Sequence, residues 1–276
     1  VYMLKLSTKK LLFLLAITCV SVSATNKELY EVNNKNEKKI YKKYDAISGN
    51  TEAISNNLTS DLILSTSLFY QTEMDKILNL VSNKNEKSKM KKVFADSQSV
   101  VISIIDLNGS IFPKELEGYG YVNQNKSTLS TVAMEAYLFN INSYFEYSKD
   151  ETSFVSNSDY IYDYLYFKGS TMTKEDFKKL NSTEIDAELT KKYKELDNSI
   201  TNLKIENAKE KNAYIKKYNK SLDTLKKNFK AYNDSYSKLV NSSTYTPEVK
   251  DKLLLFPKYQ MIMNLTFFIT ELKEGL

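Results

Sequence analysis

The chain has 276 residues, 42% of them hydrophobic and 12% aromatic, a composition that favours a folded core over disorder. Its 39 basic residues are all lysine, and it contains no histidine, arginine or tryptophan. The formal net charge is +5, or +2 without the three lysines of the N-terminal leader described below. A nearly neutral chain without arginine, whose planar fork matches guanine and phosphate, is an unfavourable candidate for binding nucleic acid.

The residue types also exclude most catalytic templates. Without histidine there is no Ser-His-Asp triad, no Cys-His pair and no HExxH motif, and no phosphate-binding GxxxxGK[ST] loop occurs. The one cysteine, Cys19, lies in the leader, so the processed chain has no thiol or disulfide. We therefore expect no catalytic residue, metal or cofactor, and an enzyme working with carboxylates alone is the least favoured function.

Residues 1–24 resemble a signal peptide. Lys5, Lys9 and Lys10 precede an apolar run over 11–18, and the segment 22–24 (Val-Ser-Ala) offers small residues for cleavage after Ala24. The apolar run is too short for a permanent membrane span. The leader therefore predicts export, to the periplasm, the cell surface or the medium.

A second processing route is open at Cys19. The cysteine ends the run Leu15-Ala16-Ile17-Thr18, which loosely resembles the acceptor site of a bacterial lipoprotein. A polar stretch follows, as in anchored lipoproteins. On this alternative, a lipid on Cys19 is the chain's only link to a membrane.

The first half of the chain predicts helices. Residues 25–49 are polar and form either a tether or an N-terminal helix, whereas Thr51 to Val81 spaces apolar residues by three and four, as an amphipathic helix does. Lys89 to Leu107 combines helical spacing with β-branched residues over 97–106; we favour a helix ending at Asn108-Gly109 over a strand. Residues 108–127 hold Pro113, Gly118 and Gly120 and predict an irregular loop.

Aromatic residues concentrate in the middle of the chain. A helix is predicted over 128–147, and an aromatic segment follows over 160–167. Alternation in that segment would align four tyrosines on one side, and two more lie in the preceding loop. Tyrosine suits interfaces because it joins a large apolar ring to a polar tip. One hypothesis is a partner surface made of Tyr119, Tyr121, Tyr160, Tyr162, Tyr164 and Tyr166; the alternative is that the rings wedge between helices.

Residues 182–240 carry the most regular pattern. From Ile215 to Leu239 the apolar residues alternate steps of three and four, which is a heptad seam. The phase slips between Leu203 and Ile215; because no glycine or proline marks a turn, we favour one long helix over a hairpin. Aromatic residues in the seam indicate packing within the chain. The remaining positions include a basic patch: Lys209, Lys211, Lys216, Lys217, Lys220, Lys226, Lys227 and Lys230. Such a patch is usually a solvated face, and an anionic partner is the alternative.

The C-terminal helix is predicted to begin at Thr246-Pro247-Glu248 and to supply much of the core. Pro257 and Lys258 disfavour a membrane span over 253–269. Together the elements predict an all-α fold: an elongated helical bundle with one long heptad-patterned helix at about 182–240, and a single helical domain over residues 50–276.

Function is predicted only as a class. Export and the missing catalytic residue types favour a non-enzymatic binding protein that contacts a macromolecule, most simply a protein. A structural or chaperone-like helical protein of the envelope is the alternative.

Overall fold

In a computed structural model, the structure describes residues 26–47, 51–112, 130, 133–144, 181–205 and 207–274. These residues form helices and no strand, which confirms the all-α helical bundle. The helices are α1 (Asn26–Asp45), α2 (Thr51–Leu80), α3 (Lys84–Ile111), α4 (residues 133–144), α5 (Ser182–Thr201), α6 (Ala208–Asn241) and α7 (Pro247–Glu274).

The polar N-terminal stretch is a helix where the structure describes it. α1 buries Leu29 and Tyr44 on one face. At its C-terminal end Lys43 and the Tyr44 hydroxyl both donate to the Asp61 carboxylate of α2, at 2.7 and 2.8 Å. These hydrogen bonds hold the pKa of Asp61 below its ordinary value. These contacts therefore fix the C-terminal end of α1 against α2.

α3 confirms the helix over 97–106, but its predicted end at Asn108-Gly109 is wrong. The helix runs on to Ile111, so the irregular loop predicted from 108 begins no earlier than Phe112, and residues 113–127 lie outside the described part. Tertiary contacts explain the extension: Tyr214 of α6 donates to the Ile111 carbonyl, and Lys217 donates to the Gly109 carbonyl. Packing against α6 outweighs the low helix propensity of glycine.

The single long helix over 182–240 is also wrong, and the alternative of a turn is correct. α5 ends at Thr201 and α6 begins at Ala208. Asparagine makes the break without glycine or proline, because the Asn207 side chain accepts hydrogen bonds from the backbone N–H groups of Lys209 and Glu210 and so caps α6. Leu203 and Ile205, in the connection, pack against the core.

The helices pack around one continuous apolar core. α3 and α6 run antiparallel, with Ser110 meeting Ser221 and Asn228 meeting Ser103. α7 begins at Pro247, as predicted, and its Lys258 pairs with Asp186 of α5. The heptad seam of α6 (Tyr218, Leu222, Leu225, Phe229, Tyr232, Tyr236 and Leu239) is buried in this core, which confirms packing within the chain.

α4 occupies the centre of the bundle. Every one of its residues is buried, including Glu135, Asn140, Asn142 and Ser143. A helix buried on all sides must satisfy its polar side chains within the protein. Its partners come from both ends of the chain, as described next.

Candidate functional site

The six tyrosines of the predicted partner surface and the predicted lipid-acceptor Cys19 lie outside the described residues. The structure therefore leaves both as predictions. Three aromatic residues of the helix predicted over 128–147 are described, and all three are buried in the core on α4: Tyr137, Phe139 and Tyr144. At these three positions the rings wedge between helices.

The most elaborate polar arrangement in the described part of the chain joins α4, α6 and α7. The amides of Asn140 and Gln260 exchange hydrogen bonds at 2.5 and 2.9 Å. Asn140 Nδ2 also donates to the Tyr232 hydroxyl at 3.0 Å, and Gln260 Nε2 to the Ala136 carbonyl at 2.6 Å. All four amide hydrogens are thereby used. A network of this kind fixes helix register and leaves neither amide a free donor for a ligand.

A second buried contact ties α1 to the centre. Asn33 Nδ2 donates to the Glu135 carboxylate at 2.7 Å, and both side chains are buried. Asn33 Nδ2 also reaches Glu37 of its own helix, at 3.2 Å. A charge-assisted hydrogen bond is stronger than a neutral one, and it offsets part of the desolvation of Glu135.

Buried tyrosines from four helices surround this network. The Tyr137 ring meets the Tyr232 ring edge to face, with 4.8 Å between centroids, and the Tyr70 hydroxyl pairs with Ser97 Oγ at 2.5 Å. The hydroxyls of Tyr137 and Tyr193 are buried without a hydrogen-bond partner. Burial raises the pKa of Tyr70, Tyr137, Tyr193 and Tyr232. These phenols stay protonated at physiological pH and cannot serve there as bases.

Two open pockets lie at the bundle's surface. One, of about 280 Å³, is lined by the start of α3 and the end of α6; in it the Tyr144 hydroxyl donates to Glu86 at 2.9 Å. The other, of about 480 Å³, lies among α5, α6 and α7 and is lined by Asn181, Asn233, Glu248, Asp251, Lys252 and Lys258, among others. Its volume suits a small molecule, but its charges of both signs define no single ligand.

The outer side of α2 and α3 exposes large aliphatic residues. Leu64, Leu68 and Ile102 are 58%, 60% and 59% exposed. Contacts between Tyr70 and Ser97 and between Gln71 and Gln98 set an antiparallel register that brings Ile102 to the level of Leu68. We call Leu64, Leu68 and Ile102 the α2–α3 patch. Exposed aliphatic groups that lie together, unlike scattered ones, are typical of protein interfaces.

Neither a membrane helix nor a metal site emerges from the described ranges. No helix there is long and apolar enough to cross a bilayer. No cluster of three or more Asp, Glu, His or Cys side chains there could hold a metal ion.

Fold and site together define the class of this chain as an all-α helical bundle with a closed polar centre. No protein-family model, curated protein or solved structure matches the chain. The α2–α3 patch was missed by the sequence analysis because helical spacing assigned Leu64 and Leu68 to the buried side. The signal that could have found it is the buried face of α2 itself: Thr59, Leu62, Thr66, Tyr70 and Met74 follow three- and four-residue steps without either leucine.

Proposed function

We propose that this chain is an exported, non-enzymatic interaction protein that binds another protein outside the cytoplasm. The leader over residues 1–24 supports export. The α2–α3 patch supports the binding part of the proposal. A partner that covers these solvent-exposed aliphatic side chains removes apolar surface from water, which lowers the free energy of the complex. The tyrosines over 119–166 remain a second candidate surface for the same partner.

The binding experiment compares captured envelope and extracellular proteins between wild type and a Leu68→Gln/Ile102→Gln variant. Covering one such side chain contributes about 1.5–3 kcal/mol to binding, so we expect the variant to bind the partner at least tenfold more weakly. The matched control is Val32→Gln/Ile47→Gln, which removes two exposed apolar residues elsewhere. Circular-dichroism melting verifies that both variants fold.

Three results separate the outcomes. Loss of the same captured protein in the patch variant alone supports the proposal. Equal capture by both variants rejects the α2–α3 patch as the binding surface. If light scattering instead shows a wild-type dimer that the patch variant abolishes, the patch joins two copies of this chain and binds no foreign partner.

Export is tested separately by mass spectrometry of the natural N-terminus. A chain that starts at Thr25 indicates signal-peptidase cleavage, and a lipid-modified Cys19 indicates anchoring. An intact leader on protein retained in the cytoplasm would contradict export.

A further inference from the structure

The outer face of α6 carries a straight row of lysines: Lys209, Lys216, Lys220 and Lys227, which we call the α6 lysine stripe. All four are exposed. They are separated by steps of seven, four and seven residues, and because Lys209 and Lys227 lie about five full turns apart, the four side chains leave the helix along one line. At a rise of about 1.5 Å per residue, the stripe is about 27 Å long.

No carboxylate neutralises these four lysines in the described part of the chain. By contrast, Lys230, on the same helix, pairs with Asp234 at 2.7 Å, and Lys92 of α3 pairs with Asp96 at 3.0 Å. Two acids, Glu210 next to Lys209 and Asp223, lie in the same stretch of α6, and neither forms an ion pair with the four lysines in the described part of the chain. The four lysines with these two acids carry a net charge of +2.

The charge of the whole helix is equally uneven. α6 contains nine lysines and three carboxylates, which gives it a net charge of +6. The chain without its leader carries +2, so everything outside α6 sums to −4. Lys217 and Lys226, beside the stripe, contact the Gly109 carbonyl and the Tyr193 ring and form no ion pair with a described carboxylate. Positive charge is thus concentrated along one helix of a nearly neutral protein.

We infer that the α6 lysine stripe binds a flexible linear polymer of phosphate groups. A single phosphate would touch only one or two of the lysines, because even Lys216 and Lys220 are about 6 Å apart along the axis. A polymer laid along the helix contacts all four and releases its counterions. Lysine binds phosphate as a point charge without bidentate geometry, so contact with a phosphate chain, unlike the reading of base edges, does not require arginine.

The residues around the stripe decide between polymer classes. α6 exposes no large hydrophobic side chain, so it has nothing to insert into a lipid surface or to pack against the side chains of an acidic peptide. Charge is the only feature that the stripe recognises. This inference does not rest on the α2–α3 patch, and it can fail or succeed independently of the binding proposed there.

The test titrates the folded chain with inorganic polyphosphate and with a single-stranded oligonucleotide at several salt concentrations. The stripe variant is Lys216→Gln/Lys220→Gln/Lys227→Gln. The control is Lys35→Gln/Lys38→Gln/Lys42→Gln on α1, which removes the same charge from lysines that are also exposed and form no ion pair with a carboxylate in the described part of the chain. Glutamine and lysine have similar helix propensities, so both variants stay folded.

We expect the stripe variant to bind at least tenfold more weakly and the control less than twofold. Three lost contacts should reduce the slope of log affinity against log salt by about 2. Binding of both polymers means that the stripe recognises a linear run of phosphates of either kind; binding of polyphosphate alone assigns the inorganic polymer. Either result supports the inference.

Four results would overturn it. The first is that wild type binds neither polymer at moderate salt. The second is that both variants lose affinity equally, because binding would then depend on net charge alone. Competition by free orthophosphate as strong as by the polymer, per phosphate, would reduce the site to a single-anion contact. Stripe-dependent binding to anionic vesicles without polymer binding would replace the polymer with a lipid surface.

Discussion

α4 and α6 are neighbours in the core, yet they use polar residues in opposite ways. α4 is buried on every side, and its Asn140 and Glu135 are held by partners from α7 and α1. α6 buries a heptad face and turns a row of lysines without acidic partners to solvent. Polar groups in the centre thus specify how the helices assemble, whereas the lysines of the α6 lysine stripe face solvent, where a ligand could reach them.

The largest effect is expected at alkaline pH, where ionisation of the buried tyrosines in the centre should unfold the protein. In the folded chain burial raises the pKa of Tyr70, Tyr137, Tyr232 and Tyr236 above the ordinary value near 10. As the pH rises, the unfolded chain loses these protons before the folded chain does. The free energy of unfolding is therefore unaffected by them below pH ~10 and decreases as the pH rises towards the folded-state pKa values. Each buried phenol costs about 1.4 kcal/mol per pH unit in that window.

We therefore expect cooperative unfolding above pH ~10, with phenolate absorbance appearing together with the loss of the helical circular-dichroism signal. Phenolate formation on a chain that stays helical would contradict the burial of these tyrosines.

Shortening a side chain of α4 should have the next largest effect. Phe139 is completely buried, so Phe139→Ala should lower the free energy of unfolding by about 3–5 kcal/mol through lost burial and a cavity. Urea denaturation measures the change. The comparison is Asn219→Ala on the exposed face of α6, where less than about 0.5 kcal/mol is expected. Similar losses at both positions would refute the contrast between the helices.

The Asn140–Gln260 pair should behave as one unit. Asn140→Ala leaves the buried Gln260 amide partly unsatisfied and should cost about 2–4 kcal/mol, as should Gln260→Ala. In the double variant the cost should be less than the sum, with a coupling of about 1–3 kcal/mol. A double-mutant cycle in urea measures it. Additive losses would show that the two amides act separately.

The smallest effect is expected at a hydroxyl that the centre leaves unpaired. Tyr137→Phe removes a buried oxygen without a partner, so stability should stay constant or rise by up to about 1 kcal/mol. Tyr232→Phe removes the acceptor of the Asn140 amide and should cost about 1 kcal/mol. Thermal melts of the two variants compare them directly. A greater loss at Tyr137 would mean that its hydroxyl has a partner after all.

Local pattern was sufficient for much of the fold. The apolar spacing predicted α2 within one residue of its end, and threonine followed by Pro247 predicted the start of α7. The β-branched run over 97–106 was predicted correctly as helix because Phe94, Val101 and Ile105 share one face. These signals depend on neighbours within two turns, which a sequence displays directly.

Features that depend on distant partners were beyond the same reasoning. In the sequence, Gly109 indicates a helix end. The helix continues because Tyr214 and Lys217 of α6 donate hydrogen bonds to carbonyls of its last turn. The break before α6 depends on Asn207 as a cap, a role that its spacing alone does not reveal. Complete burial of α4 was hidden by Glu135 and Asn140, whose partners lie more than a hundred residues away.

The position of α4 also sets the order in which the protein can be completed. Asn140 and Gln260 are 120 residues apart in the chain, and α7 is synthesised after the other described helices. Because such non-local contacts form slowly and only after loop closure, the centre stays open until the C-terminal helix has left the ribosome. A chain whose core closes this late can be threaded through a channel for longer during its synthesis, which is the property that the proposed export would require.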